Sequence, residues 1–509
     1  MNHFMKVIGL TLVLSATAQA KKPIKEDFNK YPVPQIQEAS FNDPAFIKQK
    51  KEWTKLKRKI ASDMSFNGSD VSSDFQKLRD EWLKCSTGDQ METLLKKSHA
   101  NYKNFSQDTQ YFLAQMHTAL PFRGIIWRLR PLFESSKGFL GNKSTHVAAI
   151  QAVRTSISAL KMFLPTKQTD AAIQYFTEPS VEMSKADQFQ SVAEFQKFLM
   201  EKFIPALNES TSSIVSLTKN NSDKVFVWDN KMAFGRGSFE DEIQRYVGHG
   251  PAEMNFVIAT LYRAHHDVLV YCAYNQDYSI KLAGEIGSHL GIDSSIFASK
   301  KKDLGITDAE RVKLVRSAAR KNSFLELRNY NGSDYGSNLL KQAYIALKNS
   351  VVYAERSYDY LQGRDASKAM SLNPILFQPE IAPNIEKGIK NMKAVVSGPA
   401  EVRDPVTGDT VSLNLPAFYQ DPPASLTALM PTQFEAGAVK KTIKNKKGES
   451  LEVRNYLSGR SIAWDNSSWK KYVPSAEGKN GNYMAEARRI IQYSFGTSMV
   501  FGLPEMFVH

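Results

Sequence analysis

Cysteine is nearly absent from this 509-residue chain, which has only Cys85 and Cys272. That scarcity excludes a disulfide scaffold and every cysteine-based zinc motif. Two alternatives remain: a single long-range bridge between Cys85 and Cys272, or two buried thiols. The apolar, helical look of both surroundings favours thiols, which pack as small hydrophobes. Long apolar runs are also missing. After residue 20 no segment offers the roughly 20 uncharged residues that a membrane-spanning helix needs, so a transmembrane segment is not expected.

Catalytic signatures are scarce too. Gly-x-Ser-x-Gly and His-Glu-x-x-His do not occur. Ser-x-x-Lys appears at Ser158 to Lys161, Ser216 to Lys219 and Ser467 to Lys470 with no Lys-Thr-Gly downstream, so an acylating-serine enzyme is not expected. Acids are in deficit: 52 Asp and Glu face 66 Lys and Arg, a formal net charge of +14. Such an excess favours polyanions as partners.

Residues 1 to 20 read as a cleavable export signal, with Lys6 in the n-region, an apolar stretch from Val7 to Leu14, and Ala18-Gln19-Ala20 before Lys21-Lys22. Losing Lys6 takes the net charge from +14 to +13. A periplasmic or secreted location follows. In that setting the expected polyanions are anionic envelope polymers or a membrane surface, with a protein partner as the other possibility and nucleic acid not expected. No cofactor motif is present, and no cofactor is expected.

The apolar periodicity predicts a mainly α fold. It reads as an irregular helical bundle or stack with a smaller C-terminal α+β portion containing β-hairpins. Residues 21–41 read as an extended segment, 42–370 as the helical body and 371–509 as the Pro-rich α+β portion. Asn42-Asp43-Pro44 starts a helix with Phe46, Trp53, Leu56 and Ile60 on one face. Its other residues include a basic run, Lys48 to Lys59, suited to an anionic surface or simply to solvent. A second stripe runs from Val147 to Leu164 after Ser144, and a third covers residues 337 to 362. Ser191 with Glu194, and Thr307 with Glu310, match the capping box. Lys224 to Phe234 reads as a short hairpin or irregular loop. Beyond residue 370, Pro374, Pro379, Pro383, Pro416, Pro422, Pro423 and Pro431 break the helical pattern. Turn chemistry then places hairpins near 400–416 and 437–456, around Asp404 to Asp409 and Asn445 to Gly448.

The stretch from Phe234 to His289 holds the candidate site. Gly235-Arg236-Gly237-Ser238 and Gly248-His249-Gly250-Pro251 each set a basic side chain between glycines before a helix, a place suited to an anion. Arg236, Ser238, His249 and Gly250 are therefore the anion-binding candidates. His249, Glu253, His265, Glu285 and His289 are the candidates for acid/base or metal chemistry, with Glu285 and His289 on one helix face. His266 adjoins His265, but adjacent residues point about 100° apart on a helix. Tyr271, Tyr274 and Tyr278, at i, i+3 and i+7, offer an aromatic surface for sugar rings or for packing. The leading expectation is an exported soluble helical protein that binds an envelope component or a protein partner. The alternative is an envelope-directed hydrolase, with or without a metal, with a cleft near residues 235–289.

Overall fold

Local capping chemistry starts several of the helices. The structure, a computed structural model, describes residues 31–60, 66–134, 166–221, 224–229, 246–282, 308–328, 334–361, 382–403, 408–434, 440–444, 450–454, 461–479, 483–484, 487 and 490. Helix α1 (Pro44–Ile60) opens with Asp43 accepting the Ala45 N–H at 3.0 Å. Ser72 and Thr87 cap α2 (Ser73–Lys84) and α3 (Gly88–Ala100) through their hydroxyls. Helices α4 (Gln107–His117), α5 (Ile125–Glu134) and α6 (Thr166–Thr177) follow. Ser191 caps α7 (Val192–Phe198) as expected, but the Glu194 carboxylate reaches the N–H of Gln190, one residue short of the reciprocal bond. A π turn at Leu199–Phe203 joins α7 to α8 (Ile204–Asn220). Pro205, which lacks an N–H for the carbonyl four residues back, sits at that junction.

Of the Lys224 to Phe234 stretch, residues 224–229 are described. Strand β1 (Phe226–Asp229) pairs antiparallel with β2 (Tyr246–His249), Phe226 opposite His249 and Asp229 opposite Tyr246. Then come α9 (Pro251–Ala273), α10 (Asp308–Asn322), α11 (Tyr335–Leu361) and α12 (Ala382–Ser397). The 144–164 stripe and Thr307 lie outside the described residues. The hairpin β3 (Ala400–Arg403) and β4 (Thr410–Leu413) turns through Gly408 at φ +81°, which glycine adopts without a Cβ clash. After α13 (Leu415–Gln420), strand β5 (Pro431–Phe434) pairs with β8 (Ser461–Trp464) around the nested hairpin of β6 (Lys440–Lys444) and β7 (Ser450–Arg454). The short α14 (Asn466–Trp469) follows, and residues 483, 484, 487 and 490 are again helical.

Helix α9 is apolar on nearly every face and is buried along its length, so it sits inside the fold. Its main partner is α11, 27 residues and about 40 Å long. Three contacts show that they run antiparallel. Ala252 at the start of α9 clusters with Tyr360 at the end of α11, Tyr262 stacks on Tyr353 at 5.6 Å, and Gly336 meets the Ala273 carbonyl. Phe46 and Trp53 of α1 pack edge-on against Tyr360 at 5.5 and 6.0 Å. Tyr419 of α13 stacks on Tyr344 of α11 at 5.4 Å. The Pro-rich portion therefore shares its core with the helical body, and the apolar cluster is continuous from Tyr31 to Ile490.

Residues 31–40 form neither helix nor strand and run along α11, held by its side chains. Gln342 accepts from the Ile36 N–H at 2.8 Å, and Asn349 accepts from the Ala39 N–H at 2.7 Å. Asn349 also donates to the Gln37 carbonyl, and Arg356 donates to the Ser40 carbonyl. The spacing has a simple origin: seven helical residues advance about 10.5 Å, and three extended ones about 10 Å. Gln342, Asn349 and Arg356 thus repeat in step with the extended backbone.

Arg123 fastens the other side of the molecule. It is 4% exposed, and its five N–H groups bond Glu92, Asp89 and the carbonyls of Gln174, Tyr175 and Pro179. One guanidinium therefore ties α3 to the end of α6. Gly88 makes room for it, because a Cβ there would stand 2.7 Å from Arg123 Nη1 and 2.8 Å from the Tyr175 nitrogen. Urea unfolding of Arg123→Met is expected to show a loss of about 3–5 kcal/mol, since two carboxylates lose their buried partner. Gly88→Ala is expected to cost about 1–3 kcal/mol by overpacking, despite alanine's better helix propensity. Unchanged midpoints for both would refute this account of the clamp.

Candidate functional site

The start of α9 is where the structure gathers the most chemistry from the 235–289 stretch. Gly248 and His249 finish β2, Gly250 caps α9, and Glu253 follows within the first turn. Glu253 is fully buried, and its carboxylate accepts the Gly250 N–H at 2.9 Å. It occupies the place that an external anion would take at this helix end. Gly250 also lies under Trp53, and a Cβ there would come within 2.9 Å of the indole ring. The glycine before Pro251 thus admits α1 rather than a ligand.

His249 lies over Trp228 with ring centroids 3.9 Å apart, and Tyr111 closes the cluster at 5.3 Å from Trp228 and 5.9 Å from His249. Burial drives the His249 imidazole down to about 4, against the opposing pull of Glu253. At neutral pH the ring is uncharged and attracts no anion by charge. The Tyr111 hydroxyl is fully buried without a hydrogen-bond partner, and burial followed by Glu253 pushes it well above the phenol range. The Nδ1 of His249 is unpartnered as well. Asp229, at the end of β1, is held by Arg79 at 2.6 Å, which pins the ribbon to α2.

Of the three acid/base candidates among the described residues, His249 and Glu253 are brought together and His265 is not. His265 is twelve residues further along α9, about 18 Å away. It faces Thr211 at 3.4 Å, and burial brings it down to about 4. His266 points elsewhere, as adjacent helical residues must, bonding Asp267 through Nδ1 at 2.8 Å and the Tyr419 hydroxyl through Nε2 at 2.7 Å. Glu285 and His289 lie outside the described residues, as do Arg236 and Ser238. Among the described residues no group of three or more His, Cys, Asp or Glu is arranged to hold a metal ion.

The three tyrosines do not form one surface. Helix α9 ends at Ala273, so Tyr274 leaves the helical period; it is fully buried and donates to the Pro423 carbonyl at 3.4 Å. Tyr271 packs near Phe195 at 6.3 Å and Tyr278 near Phe324 at 6.4 Å, on separate neighbours. Cys85 and Cys272 are both buried free thiols, not a bridge. Cys85 sits at the end of α2 with its S–H toward the Glu81 carbonyl, and Cys272 faces the Gln196 carbonyl from α9. Burial raises both, Cys272 to about 12 with Arg328 pulling the other way, so neither is a thiolate nucleophile at neutral pH.

Sequence reasoning passed over three polar assemblies: the Arg123 clamp, the Asp267–His266–Tyr419 chain, and the facing pair His99 and His117. Apart from the adjacent His266 and Asp267, their members are separated by 18 to 153 positions, so no local pattern carries them. No protein-family model matches the chain, and neither a curated protein nor a solved structure shows significant similarity to it.

The neutral histidines have a pH consequence. The unfolded chain protonates its imidazoles near 6.5, whereas the fold holds His249 and His265 neutral down to about 4. The unfolded state then binds more protons, so stability is full above 6.5 and falls as the pH drops toward 4. Thermal midpoints measured from pH 7.5 to 4.5 are expected to decline from 6.5 downward, more shallowly in His265→Gln. A flat profile between 6.5 and 4.5 would contradict it.

Proposed function

We propose that this chain is an exported, non-enzymatic protein that docks on an anionic component of the cell envelope through the outer face of α1. One observation carries the reading. Phe46 and Trp53 anchor α1 to the body, while Lys48, Lys51 and Lys55 are exposed on the opposite face. With about 100° per residue, those three lysines fall within roughly 60° of arc centred away from the anchored side. A helix so fixed presents its cations without losing its own packing. The acid deficit of the whole chain supports the same reading, as do the export signal expected in residues 1–20 and the absence of a helix long and apolar enough to cross a membrane among the described residues.

A lysine near an anionic surface contributes about 1 kcal/mol, so the three together account for roughly a hundredfold in affinity. Co-sedimentation with vesicles bearing anionic headgroups is expected to retain the protein at low salt and release it at 1 M, where screening shortens to about 3 Å. The variant Lys48→Gln/Lys51→Gln/Lys55→Gln is expected to lose roughly a hundredfold. Retention unchanged in this variant, or none at low salt, would remove the proposal.

The second reading, an envelope-directed hydrolase, draws on His249 and Glu253 meeting at the start of α9. It requires turnover of wall or lipid material that disappears in His249→Gln while vesicle retention is unchanged.

A further inference from the structure

His99 and His117 occupy the last turns of α3 and α4. Their Nδ1 atoms face each other at 3.2 Å, with the rings nearly perpendicular at 87° and centroids 4.5 Å apart. Two imidazole nitrogens bound to one zinc ion at about 2.0–2.1 Å in tetrahedral geometry lie about 3.3–3.4 Å apart. The observed separation is therefore within about 0.2 Å of that between two ligands of a single ion. Without a metal, one Nδ1–H donates to the other ring nitrogen across the same gap.

Two further features favour a cation there. The C-terminal ends of two helices converge on the pair, and the negative end of each helix dipole attracts positive charge. The Glu209 carboxylate of α8 lies 3.8 Å from the Nε2 of His99, on the side away from His117. At that distance it makes no hydrogen bond, but its negative charge favours a proton on the near Nε2 and a free lone pair on Nδ1. Tyr102 covers the pair edge-on at 5.6 Å from His117, while His99 remains partly open to solvent and gives a path inward.

We propose that His99 and His117 chelate one divalent transition-metal ion of the copper and zinc class through their Nδ1 atoms, with water completing its coordination. Both ligands are borderline-soft nitrogens, so the site prefers Cu2+ over Zn2+ and excludes Mg2+ and Ca2+, which take oxygen ligands. It stands apart from the start of α9 and from the lysine face of α1.

The test uses the full chain. Calorimetric titration with Cu2+, Zn2+ and Mg2+ is expected to show one saturable site per chain for the first two and none for Mg2+. Electron paramagnetic resonance of the Cu2+ form is expected to show nitrogen ligation. His99→Ala and His117→Asn are each expected to weaken binding by more than about tenfold. Undiminished binding in His99→Ala, oxygen-only ligation in the copper spectrum, or no saturable site would overturn the proposal. The wild-type spectrum decides even if a variant fails to fold.

Discussion

Because α9 carries apolar side chains around nearly its whole circumference, it is stable only when other elements enclose it, and its antiparallel packing on α11 sets where they go. The start of α9 meets the end of α11, so Trp53 and Phe46 of α1 dock at that end and Glu253 is sealed beneath them. At the other end Gly336 presses on the Ala273 carbonyl, and a Cβ there would stand 2.8 Å from that oxygen. Midway, His266 and Tyr344 receive Tyr419, bringing the C-terminal portion onto the same core. Buried polar side chains on these central helices are answered by particular partners: Asn349 by the extended segment, His266 by Tyr419.

Burial decides the chemistry of the histidines more than their neighbours do. His249 stands beside a carboxylate that favours its charged form, yet desolvation wins and the ring is held near 4. The same balance, burial against the pull of Arg328, makes Cys272 a protonated thiol, while at His117 burial and the neighbouring His99 act together to lower the ring. A glycine-flanked histidine ahead of a helix looks cationic in sequence because its solvation is invisible there. In the fold it is an uncharged aromatic plate on Trp228.

Features set by local chemistry were the legible ones. The Asn42-Asp43-Pro44 start, the Ser191 cap, the α11 stripe and the two hairpins with strong turn residues appear near their expected positions. Pairings between distant segments were not. Strand β1 finds β2 some 20 residues on, and β5 finds β8 across an intervening hairpin. Periodicity also overran at Tyr274, where the chain leaves the helix to bridge Leu327. For the site, the nearness of His249 and Glu253 was legible because one helical turn joins them. The capping role of Glu253 was not, since it depends on Trp53 filling the space above Gly250.

The segment at residues 31–40 has a consequence in time rather than in space. Its bonds to Gln342, Asn349 and Arg356 span 306 to 316 positions. At roughly 5–20 residues per second of synthesis, its partners emerge about 15–60 s after it does. For that interval its backbone groups have only water or another molecule to bond. The segment docks after α11 has formed, so a stretch made early in synthesis is placed late, closing over a helix whose polar side chains are already spaced to receive it.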